Sequence, residues 1–145
     1  MKHNILITLF FICTAVCFGQ QNITWEDLAK VKFGEKYFPK FDDTFLYPEF
    51  SGDVKALEGK TVTIKGYFLN ISPEDKLYIL SKGPMASCFF CGVGGPETAV
   101  ELQFKSKQNF NTDDIVAVTG KLKLNKDDVE HFNYILTDCE AALIE

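Results

Sequence analysis

The chain has 145 residues, 46% of them hydrophobic and 24% charged, and its 15 basic and 20 acidic side chains leave a formal net charge of −5. Every basic residue is lysine, because the sequence contains no arginine. Phosphate backbones are held mainly by clustered cations, so this acidic composition argues against a nucleic-acid partner.

The first element is a leader. Met1-Lys2-His3 is a short basic start, an uncharged apolar run extends from Ile5 to Phe18, and small residues Cys17 and Gly19 stand where signal peptidase requires them. The run is too short to span a bilayer comfortably. Residues 1–19 are expected to be a cleavable secretory signal, with Gln20 the mature start and the product periplasmic or secreted. Ile12 and Val16 precede the two leader cysteines, Cys13 and Cys17, where a lipid anchor would need a small residue. No second membrane-spanning segment follows. Loss of the leader takes away one lysine, Lys2, and no carboxylate, so the charge falls from −5 to −6. About 125 residues remain, enough for one domain to bury a core unaided.

Residues 20–56 form the second region. Thr24-Trp25-Glu26-Asp27 predicts a brief helix, with Thr24 as cap, Asp27 as its partner three residues on, and Trp25, Leu28 and Val31 on one face. Residues 33–53 are dense in Phe and Tyr but interrupted by Gly34, Pro39, Pro48 and Gly52. Proline removes a ladder donor, so this stretch is expected to be an extended, strand-and-turn arm. Its aromatics are expected to pack on the body, although they would also serve as an exposed binding stripe.

From residue 57 to 145 the signals are β. Lys60 to Lys65 alternates polar and apolar and continues through Gly66 into Tyr67-Phe68-Leu69. Leu77–Leu80, Thr98–Phe104, Ile115–Leu124 and Asn133–Leu143 are the next four strands, the fourth of the five broken by Gly120. Glycine inside a strand marks a bulge or sharp coil. Five strands, two of them coiled at glycine, resemble the OB-fold, a five-stranded Greek-key barrel. The resemblance is carried by Gly59-Lys60-x-Val62-x-Ile64-x-Gly66-Tyr67 and by Val116-x-Val118-x-Gly120-x-Leu122. A β-sandwich of equal strand count is the alternative.

Trp25-x-x-Leu28, the Gly59–Tyr67 strand and the cysteine loop after the second strand together make the chain similar to exported bacterial proteins of the domain of unknown function 3299. That group tends to follow its cysteine with histidine and a proline run. Here Cys88 is followed by Phe89-Phe90-Cys91-Gly92 and then Gly94-Gly95-Pro96-Glu97. The resemblance implies an exported OB-like domain and no established activity.

The loop therefore rests on its own chemistry. Cys88, Cys91 and Cys139 survive export, an odd number that means a disulfide with a lone thiol or a site using three thiolates. Cys88-x-x-Cys91-Gly92 has the form of a metal knuckle, in which glycine permits the tight turn. Zinc or iron would need further ligands from Cys139, His131, Glu97 or Asp138, and a copper ion could add Met85. A structural Cys88–Cys91 disulfide is the competing reading, with Cys139 then a buried, inert thiol. Thioredoxin-like catalysis is disfavoured, because Gly92-Val93-Gly94-Gly95-Pro96 cannot propagate a helix. Phe89, Phe90, Gly92, Gly94, Gly95, Pro96 and Glu97 form the candidate ligand or partner loop, the glycines chiefly serving its turns.

His131 is the histidine remaining after export and, in a polar turn beside Glu130, is expected to be solvent-exposed. No nucleophile, base and orienting group occur together, so catalysis is not expected. Two readings follow. One is a non-enzymatic envelope module that binds an envelope protein or small ligand through the sheet face or the Cys88 loop. The other is a protein handling zinc, iron or copper, or acting in thiol redox, centred on the C-x-x-C-G loop.

Overall fold

A computed structural model describes residues 19–88 and 92–144. The predicted leader, apart from Gly19, lies outside the described residues, as do Phe89, Phe90 and Cys91. The architecture is mainly β, a closed five-stranded barrel with few and short helices.

In chain order the elements are β1 (Gln21–Asn22), α1 (Trp25–Leu28), β2 (Val31–Phe38), β3 (Asp43–Phe50), α2 (Gly52–Lys55), β4 (Thr61–Ser72), β5 (Leu77–Ser81), β6 (Ala99–Leu102), β7 (Ile115–Leu124) and β8 (Tyr134–Leu143). Strands β4 to β8 make the barrel in the order β4-β5-β6-β8-β7, and β7 pairs back onto β4 to close it. The β6–β8 pair is parallel while β4–β5, β5–β6, β7–β8 and β4–β7 are antiparallel. This is the Greek-key connection that the sequence resemblance implied.

Alternation explains the barrel interior. Val62, Ile64 and Phe68 of β4 point inward with Tyr78 and Leu80 of β5, Val100 and Leu102 of β6, Val116, Val118 and Leu122 of β7, and Tyr134 and Leu136 of β8. Two glycines let the sheet coil. A Cβ on Gly66 would stand 2.6 Å from the Ser81 carbonyl oxygen and 2.9 Å from the Trp25 ring. Gly120 lies opposite a bulge in β8, where the register jumps from Thr119–Glu140 to Lys121–Thr137. Asp138 takes a positive φ of 52° there, and the extra residue reverses the inward-outward phase so that Cys139 joins the interior.

The short helices plug one end of the barrel. Thr24 and Asp27 form the predicted capping box, and Leu28, Val54, Leu57 and Phe50 are buried against Tyr134, whose hydroxyl donates to the Leu28 carbonyl at 2.6 Å. Helix α2, which the sequence reading did not contain, is capped by Ser51, whose side chain accepts from the Val54 amide. Val31, expected on the α1 face, is the first residue of β2.

The aromatic arm is extended and strand-and-turn, as expected. Residues 31–50 are a regular two-stranded hairpin, paired from Val31–Phe50 to Phe38–Asp43 and separate from the barrel sheet. Its base packs as predicted, with Pro48 and Phe50 buried, but toward the tip Tyr37 is 54% and Leu46 53% exposed. Pro48 is accommodated because a two-stranded sheet has only edge strands. Among the described residues no helix is long and apolar enough to cross a membrane.

Candidate functional site

In OB-folds the outer face of the second and third strands is the usual ligand platform. Here those strands are β5 and β6, and apart from the exposed Leu77 at the start of β5 their outward side chains are covered. Leu69, Ile79, Ala99 and Cys88 form a second buried cluster on this face, with Tyr67, Met85 and Phe132 packed against it. A single 3-10 turn, Met85–Ser87, brings Cys88 down onto the sheet, and the Met85 amide donates to Asp113 Oδ1 at 2.7 Å to hold it there. Cys88 is 1% exposed. The platform is thus filled by the protein's own loop.

Glu101 lies on the same face, between Ile79 of β5 and Ile135 of β8 in register. It is buried, yet every donor around it converges: His131 Nδ1 stands 2.9 and 3.0 Å from its two oxygens, the Phe132 amide 3.2 Å, and Gln103 Nε2 2.9 Å. A buried carboxylate is tolerated when its lone pairs are satisfied in this way. His131 is solvent-exposed, as expected, with its side chain 47% accessible, and its Nδ1 side is also paired with Glu101. Its hairpin turn folds back on Asn125, whose side-chain amide donates to the carbonyls of Asp128, His131 and Phe132.

The predicted metal set is dispersed. Cys139 lies in the barrel core, and its thiol donates to the Leu136 carbonyl at 3.0 Å; burial pushes that thiol up to about 12. Cys88 belongs to the outer cluster, and the two cysteines, both buried, are not joined to each other. Glu97 turns onto the Gly95 amide at 3.2 Å, and Asp138 pairs with Lys105 at 3.1 Å. Among the described residues no group of three or more His, Cys, Asp and Glu side chains stands together as a metal site. Cys91, the second half of the knuckle, lies outside them.

The candidate partner loop has its own small cavity of about 460 Å³, bordered by Cys88, Val93, Gly94, Glu97 and Ser87. Gly92 and Gly94 take positive φ of 76° and 87°, the conformation a tight turn requires and glycine supplies most readily. Gly95 presents its amide to Glu97, so an anion arriving there would compete with the loop's own carboxylate.

Two further cavities flank the hairpin. One, about 390 Å³, lies beside its tip and is bordered by Phe45, Leu46, Pro96, Val129, His131 and Phe132. The other, about 750 Å³, lies at its base between β3, α2 and Lys126. An aromatic and cationic cluster props the hairpin over both: Lys36 lies 4.1 Å from the centre of the Tyr47 ring, Phe45 meets Phe38 and Phe41 edge-on, and Asp127 of the β7–β8 turn accepts from Lys36 at 2.9 Å and from Tyr47 at 3.2 Å. The Lys36 hydrogen bond lowers the Asp127 carboxyl and Asp127 in turn raises the Lys36 ammonium.

The chain is similar to the crystal structure of a DUF3299 family protein from Pseudomonas aeruginosa PAO1, with a TM-score of 0.58 over 88% of this chain and 97% of that one. The chain resembles DUF3299 proteins in fold. Sequence identity is 13%, so the likeness speaks for architecture and leaves the side-chain chemistry to be read from this chain. No family model and no curated protein matches the sequence.

Glu101 and the hairpin cavities were absent from the sequence reading. Glu101 sits in a strand of strict alternation, where outward position ordinarily means solvent, and His131, Phe132 and Gln103 close over it. Aromatic density at residues 37–47 was the available signal for the hairpin.

Proposed function

We propose that this protein is an exported, non-enzymatic binding module of the cell envelope that takes its ligand against the β2–β3 hairpin rather than on the barrel's sheet face. One observation carries the reading. The usual OB platform is covered over Leu69, Ile79 and Ala99 by Cys88, Met85 and Phe132, whereas the hairpin leaves Tyr37 and Leu46 more than half exposed, with Leu46 on the rim of the cavity beside its tip. Exposed apolar residues grouped beside a concavity mark a binding surface more often than scattered ones do. Export is supported by the basic-apolar-small pattern of residues 1–19.

The test compares three immobilised proteins, wild type, Tyr37→Ser/Leu46→Ser and Cys88→Ser, exposed to the soluble envelope fraction and analysed by mass spectrometry for proteins and small molecules. The reading expects a species retained by wild type and by Cys88→Ser but lost from the hairpin variant. Retention that instead depends on Cys88 alone would overturn it.

A second reading keeps the metal or thiol-redox alternative, because the Glu101–His131 pair and Cys88 occupy one face of the barrel. Cys88 packs on Ala99, two residues before Glu101 in β6, and Phe132 follows His131 into the same cluster. Cys88, Cys91 and His131 would be the residues to hold a zinc, iron or copper ion. Native mass spectrometry of protein purified without chelator or reductant separates this reading, through an added ion mass, from a Cys88–Cys91 disulfide, which is two hydrogens light.

A further inference from the structure

The cavity at the hairpin base has an electrostatic character that contradicts the rest of the molecule. The chain carries a net charge of −5, yet Lys30, Lys32, Lys55 and Lys126 all border this one opening, against the single carboxylate Glu49 among its described lining. Lys30 is neutralised by Asp27 at 3.4 Å and Asp53 at 3.2 Å. Lys32, Lys55 and Lys126 make no ion pair within 4 Å among the described residues, and all three are exposed. An acidic protein would ordinarily disperse its lysines among its carboxylates. Lys126 also lies 5.8 Å from the Tyr47 ring centre and Lys32 stands opposite Glu49 in register, so the three ammonium groups, none of them in an ion pair, leave a local positive potential that Glu49 and solvent weaken but do not reverse.

Between these ammonium groups the cavity wall is apolar. Val31 and Phe50, a cross-strand pair at the root of the hairpin, border it with Pro48 on the same face. Pro48 and Phe50 are buried in the body, so this wall is held by the core and does not depend on the hairpin tip. At about 750 Å³ the cavity falls in the range of small-molecule sites. Pro48 also bears on what kind of ligand fits. Lacking an N–H, it interrupts the outer edge of β3, which disfavours an added peptide strand and leaves side-chain recognition of a compact ligand.

We infer that the hairpin-base cavity binds a small amphipathic anion, its carboxylate, sulfonate or phosphate head among Lys32, Lys55 and Lys126 and its apolar body on Val31, Pro48 and Phe50. This rests on the hairpin as the binding surface and adds the class of ligand. The head group contributes selectivity, through ammonium contacts that a neutral molecule cannot make, and the apolar wall contributes contact area.

The experiment uses three probes on the isotope-labelled protein: octanoate, its neutral analogue 1-octanol, and inorganic phosphate. Amide shifts are followed by two-dimensional NMR for wild type and for Lys32→Gln/Lys55→Gln, whose altered side chains are exposed and leave the core intact. Octanoate is expected to shift the amides of Val31, Lys32, Phe50, Ser51 and Lys126 saturably, with an apparent affinity at least tenfold above that of octanol or phosphate. The double variant is expected to lose about tenfold in octanoate affinity, and raised salt to weaken wild-type binding in the same direction. Equal binding of octanol and octanoate at these amides would overturn the anion assignment while leaving the hairpin as the binding surface. Octanoate shifts confined to the Cys88 loop would overturn both. Absence of saturable shifts with octanoate would overturn the inference alone.

Discussion

Glu101→Ala removes the acceptor on which the β7–β8 turn is hung, and the cost can be worked from its partners. His131 is 47% exposed in its side chain, so water replaces much of what its Nδ1 contact supplies. The Phe132 amide is different: leaving a partly buried backbone donor unmatched costs about 1–3 kcal/mol. Loss of the buried Cγ methylene adds about 0.8 kcal/mol, and relief from holding a carboxylate away from water works in the opposite sense. A net destabilisation of about 2 kcal/mol is expected. Glu101→Gln keeps the stem and one acceptor oxygen, and about 1 kcal/mol is expected for it. Urea unfolding followed by fluorescence of Trp25, the one tryptophan, reads both variants. With a slope of about 1–3 kcal/mol per molar urea, the alanine variant should shift the midpoint by about 1 M. The Phe132 amide should also lose its protection from hydrogen exchange. A midpoint unchanged in Glu101→Ala would refute the claim that this carboxylate positions residues 131–132, and with it the account of how the sheet face is sealed.

Two further outcomes test the frame. Gly66→Ala places a Cβ 2.6 Å from the Ser81 carbonyl oxygen, a backbone atom that cannot swing aside, so overpacking of about 1–3 kcal/mol is expected by the same urea assay. Burial holds the Cys139 thiol up to about 12 against an ordinary 9.0, so iodoacetamide at pH 8 should label it only after denaturation, as read by intact mass. Because the folded value is raised, the stability this thiol contributes is fully present below pH 9 and is lost as pH rises from there toward 12.

The barrel was legible because its strands carry two-residue alternation: Val62 and Ile64, Val116 and Val118, and Tyr134 and Leu136 mark the inner face without reference to any neighbour. The α1 cap was legible for a similar reason, since Thr24 and Asp27 satisfy each other within one turn. Cys139 was not. Alternation continued from Tyr134 and Leu136 would put Asp138 inside and Cys139 outside, on the side of the Cys88 loop, and the bulge at Asp138 reverses both.

The amino-acid sequence by itself determined the five strands, their inward side chains, the capped helix and the places where glycine must let the sheet bend, since each of these follows from local sterics and from which face of a strand is apolar. Only the tertiary structure decided that the outer sheet face is closed, that Glu101 is buried and paired with His131, and that the aromatic arm is a hairpin with three unpaired lysines gathered at its base. Those features depend on what one segment lays against another far away in the chain, and a periodic pattern records the face a residue takes but not what comes to cover it.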